Sequence, residues 1–213
     1  MMREGLHPGA ILAIVLAALV YSGIDPEADR LTWFLETAPV MLGILILVPT
    51  FRVFRLTPLT YHLLALHAFM LMLGGYYTYA EVPWFNELRD AFDLSRNHYD
   101  RVAHVAQGFI PAILAREILI RRSPLEPGKW LFFLVTCFCL ALSAFYEFIE
   151  WWAAVLSEEA AAAFLGTQGD HWDTQWDMFL AFLGAMAGQL LLARVHDRQI
   201  ARLEANHQQQ VAA

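Results

Sequence analysis

Two cysteines in 213 residues cannot staple a chain of this size, so a disulfide scaffold is excluded. Charge is also scarce. Only 16% of residues are Asp, Glu, Lys or Arg, against about a quarter in a typical soluble domain. There is no basic surplus either: the net charge of −7 and pI near 5.5 argue against a nucleic-acid partner, which wants a basic face. No phosphate-cradling glycine loop, G-x-S-x-G elbow or H-E-x-x-H zinc helix occurs. Tandem repeats and low-complexity tracts are absent as well. What remains is apolar: 58% of residues belong to the set AVILMFWYC, with a mean hydropathy of +0.44. This composition predicts an all-α, polytopic membrane helix bundle.

A helix needs roughly 20 mostly apolar residues to cross a hydrocarbon core of about 30 Å. Six stretches qualify, running from about Pro8 to Gly23, Leu31 to Thr50, Leu59 to Ala80, Asp100 to Ile120, Lys129 to Leu156, and Thr174 to Val195. Turn-forming residues separate them: Asp25-Pro26, Pro49, Pro58, Pro83, Pro124, Pro127, Gly166 and Gly169. The expected organisation is a six-span domain over residues 1–196 and a polar, Gln-rich, frayed cytoplasmic tail over 197–213. A short basic start precedes the first stretch, as in a signal peptide. No A-x-A site follows, and the segment is expected to be retained.

Lys and Arg mark the cytoplasmic side of short loops. One set of alternate segments holds ten: Arg3, Arg52, Arg55, Arg116, Arg121, Arg122, Lys129, Arg194, Arg198 and Arg202. The other set holds four, Arg30, Arg89, Arg96 and Arg101, and the loop from Ser157 to Asp173 has none. This alternation predicts six spans with both termini in the cytoplasm.

On that topology the unusual polar residues gather in the outer leaflet. Asn97-His98-Tyr99-Asp100-Arg101-Val102-Ala103-His104 opens the fourth span, and Tyr146-Glu147-Phe148-Ile149-Glu150 lies in the outer part of the fifth. Residues 166 to 177, Gly-Thr-Gln-Gly-Asp-His-Trp-Asp-Thr-Gln-Trp-Asp, lead into the sixth. Glu36, Tyr76, Tyr77 and Tyr79 fall at the same level. Residues three or four apart share a helical face, which pairs Asp100 with His104, Glu147 with Glu150, and Asp173 with Asp177. So many carboxylates in a low dielectric must take up protons, pair with Arg101 or hold a cation. The expected metal ligands are Asp100, His104, Glu147, Asp170 and Asp173. Carboxylate and imidazole without thiolate suit Mg, Mn, Fe or Zn.

Each feature also has an ordinary structural reading. Asp100, Arg101 and His104 can be a helix cap with a salt bridge, Glu147 and Glu150 helix–helix glue, and the aspartates of the last loop solvated. Trp151, Trp152, Trp172 and Trp176 read as interfacial anchors, as do the three tyrosines. His62 and His67, five apart, read as satisfied interior histidines. Cys137 and Cys139, two apart, form neither a metal pattern nor a redox pair. Gly184-Ala-Met-Ala-Gly188 reads as close helix packing inside the bundle.

At these residues the chain resembles the YjdF-like family of bacterial inner-membrane proteins. The resemblance is carried by Asn97-His98-Tyr99-Asp100-Arg101-x-x-His104, by Tyr146-Glu147-x-x-Glu150, and by Gly166-Thr167-Gln168-Gly169-Asp170-x-Trp172-Asp173-x-Gln175-x-Asp177-Met178. It implies a bacterial cytoplasmic membrane and supplies no activity. A more remote similarity is to VanZ-like membrane proteins. Asp100-Arg101-x-x-His104, Glu147, Asp177 and Gly184 fit their pattern, while Glu150 stands where Gln is usual and Ala181 where Asn is usual.

The expectation is an intramembrane enzyme acting on an envelope lipid or lipid-linked substrate from the outer leaflet. Asp100, His104, Glu147 and the loop aspartates would hold a divalent metal ion, and Glu150 or Asp177 would serve as general base. Arg101 would hold an anionic head group. The alternatives are a proton- or cation-coupled transporter and a non-catalytic assembly or sensor protein. The inner halves of the spans are read as poor in ionisable groups, which counts against a transporter. The substrate and the oligomeric state are not legible.

Overall fold

The computed structural model describes residues 7–156 and 167–212. Arg3 and the 157–166 part of the loop without basic residues, Gly166 included, lie outside the described residues. Seven helices occur among the described residues: α1 (Pro8–Ser22), α2 (Arg30–Thr50), α3 (Pro58–Tyr77), α4 (Pro83–Ala91), α5 (Tyr99–Arg122), α6 (Lys129–Leu156) and α7 (Asp173–Ala212). No strand is found among these residues.

Local chemistry sets the helix starts. The Asp29 carboxylate accepts from the Leu31 and Thr32 amides to cap α2. Thr57 caps α3 ahead of Pro58, whose missing N–H costs nothing in a first turn. Five helices, α2, α3, α5, α6 and α7, are long and apolar enough to cross a membrane. The first apolar stretch forms a helix of only 15 residues, about 22 Å long and short of a full crossing. It packs on α3 through Ile11, Val15, Ala68 and Met72. The structure thus has five full-length span candidates and one short apolar helix where six spans are expected.

The tail is not frayed. Helix α7 continues through it to Ala212, 40 residues and about 60 Å in all. Its polar end is built from strong helix formers, Arg, Leu, Glu, Ala and Gln. Helix α4 lies between the spans and is amphipathic, with Trp84, Leu88 and the following Phe92 exposed.

The centre of the bundle is the contact between α5 and α7. A Cβ on Gly108 would overlap the Ala181 carbonyl, and one on Gly184 would overlap the Val105 carbonyl. A Cβ on Gly188 would sit 2.6 Å from the Phe109 oxygen. Only glycine allows this approach, so the Gly-x-x-x-Gly acts within the bundle. Helix α6 closes over the pair with Leu131, Val135 and Cys139. Helix α2 leans instead on α3, and this arrangement leaves a cavity between the two halves.

Candidate functional site

One anchor of the site is a residue that the sequence pattern does not single out. Arg96, buried in the segment before α5, donates from Nη1 to Asp173 Oδ1 at 2.5 Å and from Nη2 to Asp100 Oδ2 at 3.2 Å. Its spacing of four from Asp100 is the available signal. Arg101 donates to Asp173 Oδ1 at 2.5 Å, to Asp170 Oδ2 at 3.1 Å and to Asp177. The two guanidiniums therefore weld the start of α5 to the start of α7. Asn97 and Gln168 reinforce the weld: the Gln168 amide pairs with the Asn97 backbone N–H and C=O at 2.8 and 3.0 Å.

This geometry changes two expectations. Both Nη atoms of Arg101 are engaged by aspartates, so the end of its guanidinium is not presented to an anionic head group. Asp170 and Asp173 face arginines and fall outside the groups whose donor atoms converge closely enough for a metal. The neutralising charge for these two carboxylates comes from the chain itself.

One turn deeper, the other residues converge as their spacing predicts. His104 Nε2 lies 3.3 Å from Asp100 Oδ1 and 3.8 Å from Asp177 Oδ1. His104 Nδ1–H donates to Gln107 Oε1 at 2.8 Å, which turns Nε2 toward the carboxylates. Two triads have donor atoms within 4.8 Å of one another: Asp100, His104 and Asp177, and His104, Glu147 and Glu150. His104 belongs to both. A histidine whose second nitrogen is tied to a neighbouring polar group has the usual orientation of a metal ligand. Glu147 is 6% exposed, and its Oε1 is buried with no hydrogen-bond partner among the described residues. A buried carboxylate oxygen left in this state is costly and is normally avoided.

The cluster borders a cavity of about 370 Å³, within the range of small-molecule sites. Its polar lining includes Glu36, Tyr79, Asp100, His104, Glu150 and Asp177, and Leu42, Leu142 and Phe145 contribute an apolar wall. Pro39 and Pro111 also line it. Each proline removes one helical hydrogen bond and so leaves the carbonyl four residues earlier, on Leu35 or Gln107, without its intrahelical partner. His67 faces the same cavity, and its Nε2 is buried without a partner among the described residues, so it is not the satisfied interior histidine expected. His62 is exposed and bonds the Pro58 carbonyl. Tyr79 packs against Tyr99 at the cavity edge, a more interior role than an interfacial anchor. Trp151, Trp152, Trp172 and Trp176 are exposed, as anchors should be. Cys137 is exposed and Cys139 buried, both as free thiols.

At the opposite end of the bundle a second polar cluster contradicts the reading of inner halves poor in ionisable groups. Glu117 and His196 are both 0% exposed. Glu117 accepts from the Thr57 amide, the Thr57 and Thr60 hydroxyls, Arg121 and His196 at 2.6–3.1 Å. Arg116 lies 3.3 Å from His196 Nδ1 and pairs with Asp197 at 2.6 Å. The i, i+4 pair Glu117–Arg121 is the signal in the sequence that points to it. Every lone pair of Glu117 is engaged, so this cluster ties α3, α5 and α7 together.

Helices of this length around a buried polar cluster define a polytopic helical membrane protein. The family model "Predicted membrane protein (DUF2238)" matches residues 8–198, and the chain belongs to that family. It is 51% identical over 184 residues to "Inner membrane protein YjdF" of Escherichia coli (strain K12), covering 86% of this chain and 88% of that protein. No solved structure matches it. The chain is a multi-pass protein of the bacterial inner membrane.

Proposed function

We propose that this protein is an intramembrane enzyme acting on an envelope lipid or lipid-linked substrate at the outer leaflet. The observation that carries the reading is the unpartnered Glu147 oxygen beside His104 and Glu150, two residues that line a cavity large enough for a ligand. A purely structural buried carboxylate is expected to be satisfied, as Glu117 is. In the proposed orientation both termini are cytoplasmic, and the Asp100 end faces outward. In this reading residues 1–196 are the membrane domain and 197–213 a cytoplasmic tail, whose first turn is tied back to the bundle by Asp197 to Arg116 and by Gln199 to the Leu59 amide.

His104 with Asp100 and Asp177, or with Glu147 and Glu150, would hold a divalent cation. Such an ion would polarise a phosphoryl or acyl oxygen of the substrate. Glu150 or Asp177, whichever the cation leaves free, would take the proton of a water attacking that phosphorus or carbonyl carbon and return it to the alkoxide released when the ester bond breaks. Arg96 and Arg101 are positioning residues: they neutralise the loop aspartates and hold α5 against α7.

The test compares lipid extracts from cells that lack their own relative and express either wild type or Glu147→Gln at equal, folded levels. The expected result is a lipid species that changes with wild type and not with the variant, together with divalent metal near one equivalent in purified wild type, lost on chelation. Identical extracts from both strains would overturn the enzymatic reading. Metal-free protein that still alters the lipid would remove the cation and leave the acid–base chemistry.

A further inference from the structure

The cavity has a side entrance. Helix α2 rests on α3, and α6 rests on α5 and α7, so the wall between α2 and α6 is made by side chains rather than by helix packing. Leu42, Leu142 and Phe145 line the cavity and are at the same time 58%, 39% and 53% exposed on the outside of the bundle. These residues belong to α2 and α6, two of the helices long and apolar enough to cross a membrane. Above these residues the Tyr146 hydroxyl donates to Glu36 Oε2 at 3.2 Å, a polar latch across the opening. The passage thus runs from an apolar mouth past a latch to a charged floor, which matches the order of tail, linkage and head in a lipid.

The charge of the floor selects the head. Glu36, Asp100, Glu150 and Asp177 line the cavity. Opposite them stand Arg96 and Arg101, both consumed by ion pairs, and His104. An anionic head group would find several carboxylates and, among the described residues, no arginine left to pair with. An ammonium would find carboxylate acceptors on the cavity lining at Glu36 and Glu150, outside the Asp100, His104 and Asp177 group.

We propose that the mouth between α2 and α6 is a lateral entrance through which a lipid bearing an ammonium head group passes, its alkyl chain lying on Leu42, Leu142 and Phe145 and its head on Glu36 and Glu150. The enzymatic reading is needed only for the chemistry after entry. Lipid binding stands or falls by itself.

The experiment uses the full chain in nanodiscs containing a trace of phosphoethanolamine or phosphoglycerol lipid with a photoreactive diazirine in its alkyl chain. After illumination, labelled residues are mapped by mass spectrometry. The expected result is label inside the cavity, on Gln107 and Pro111, several-fold stronger with the phosphoethanolamine probe. Leu142→Trp should fill the mouth and abolish that interior label while leaving label on the outer face, at Leu45 and Ile46, unchanged. Equal interior label from both probes would overturn the head-group assignment. Interior sites unlabelled by either, or label indifferent to Leu142→Trp, would overturn the entrance. Glu147→Gln separates the two proposals, because a variant that takes label but changes no lipid supports both entry and catalysis. A wild type that changes lipid without interior label refutes the entrance alone.

Discussion

His104 Nε2 lies 3.3 Å from the Oδ1 of Asp100, one turn earlier on α5, with its other nitrogen held by Gln107. That pairing stands at the junction of two carboxylate groups supplied by α6 and α7. It makes His104 the residue whose loss should affect any bound cation most. In purified wild type and His104→Ala, titrated with Mn²⁺ and followed by electron paramagnetic resonance, the variant should lose ten-fold or more in affinity, about 1.4 kcal/mol. Equal affinity would exclude His104 as a ligand.

Arg101 carries ion pairs to Asp170, Asp173 and Asp177. Removing one partner of a buried pair leaves uncompensated charge, at a cost of about 3–5 kcal/mol. Arg101→Ala should therefore lower the unfolding midpoint in detergent sharply. Arg101→Lys should recover only part of it, since an ammonium cannot reproduce the fork of bonds. A midpoint equal to wild type for Arg101→Ala would show the network to be energetically idle.

The contact of α5 with α7 gives a steric prediction. Gly108→Ala places a methyl group against the Ala181 carbonyl and should cost about 1–3 kcal/mol through forced backbone shifts. Gly43→Ala is the control: nothing lies within 4 Å of its Cβ, and alanine is the better helix former. Thermal unfolding in detergent should show a lowered midpoint for the first and an unchanged or raised one for the second.

Glu117 tests the distinction between the two polar clusters. Glu117→Ala strips the acceptor from five donors and should destabilise the bundle strongly, by about 3–5 kcal/mol. Glu117→Gln keeps part of the bonding and should be milder. Whatever folded Glu117→Gln protein remains should show the lipid change of wild type. A folded variant that has lost it would make the inner cluster part of the working machinery.

The proposed orientation is tested by fusions. Alkaline phosphatase joined after Leu94 should be active, and a fusion after Ala212 inactive, with green fluorescent protein showing the reverse. Activity of both phosphatase fusions would put the C-terminus outside.

Much of this site is legible in the sequence because helical spacing is a strong constraint. Asp100 with His104 and Glu147 with Glu150 meet as their three- and four-residue intervals require, and Asp173 and Asp177 share Arg101. The role of each carboxylate is less legible. Whether Asp173 faces a metal or an arginine depends on Arg96, which lies 77 residues away and just outside a helix. The same limit hides the Glu117 cluster, whose donors come from the turn before α3 and from the far part of α7. Periodicity reports one helix at a time; pairing across helices becomes visible only once the bundle is assembled. The first helix falls short because its apolar run ends at the Gly23 turn, before a full crossing.

The central claim is that the Glu147 group is a working site rather than a lock, and thermal unfolding of Glu147→Gln beside wild type in one detergent tests it most directly. A site kept for function at the expense of stability loses nothing when a carboxylate with one unpartnered oxygen becomes an amide. The account predicts a midpoint equal to or above that of wild type. A fall of several degrees would mean that Glu147 holds the bundle together, and would contradict it.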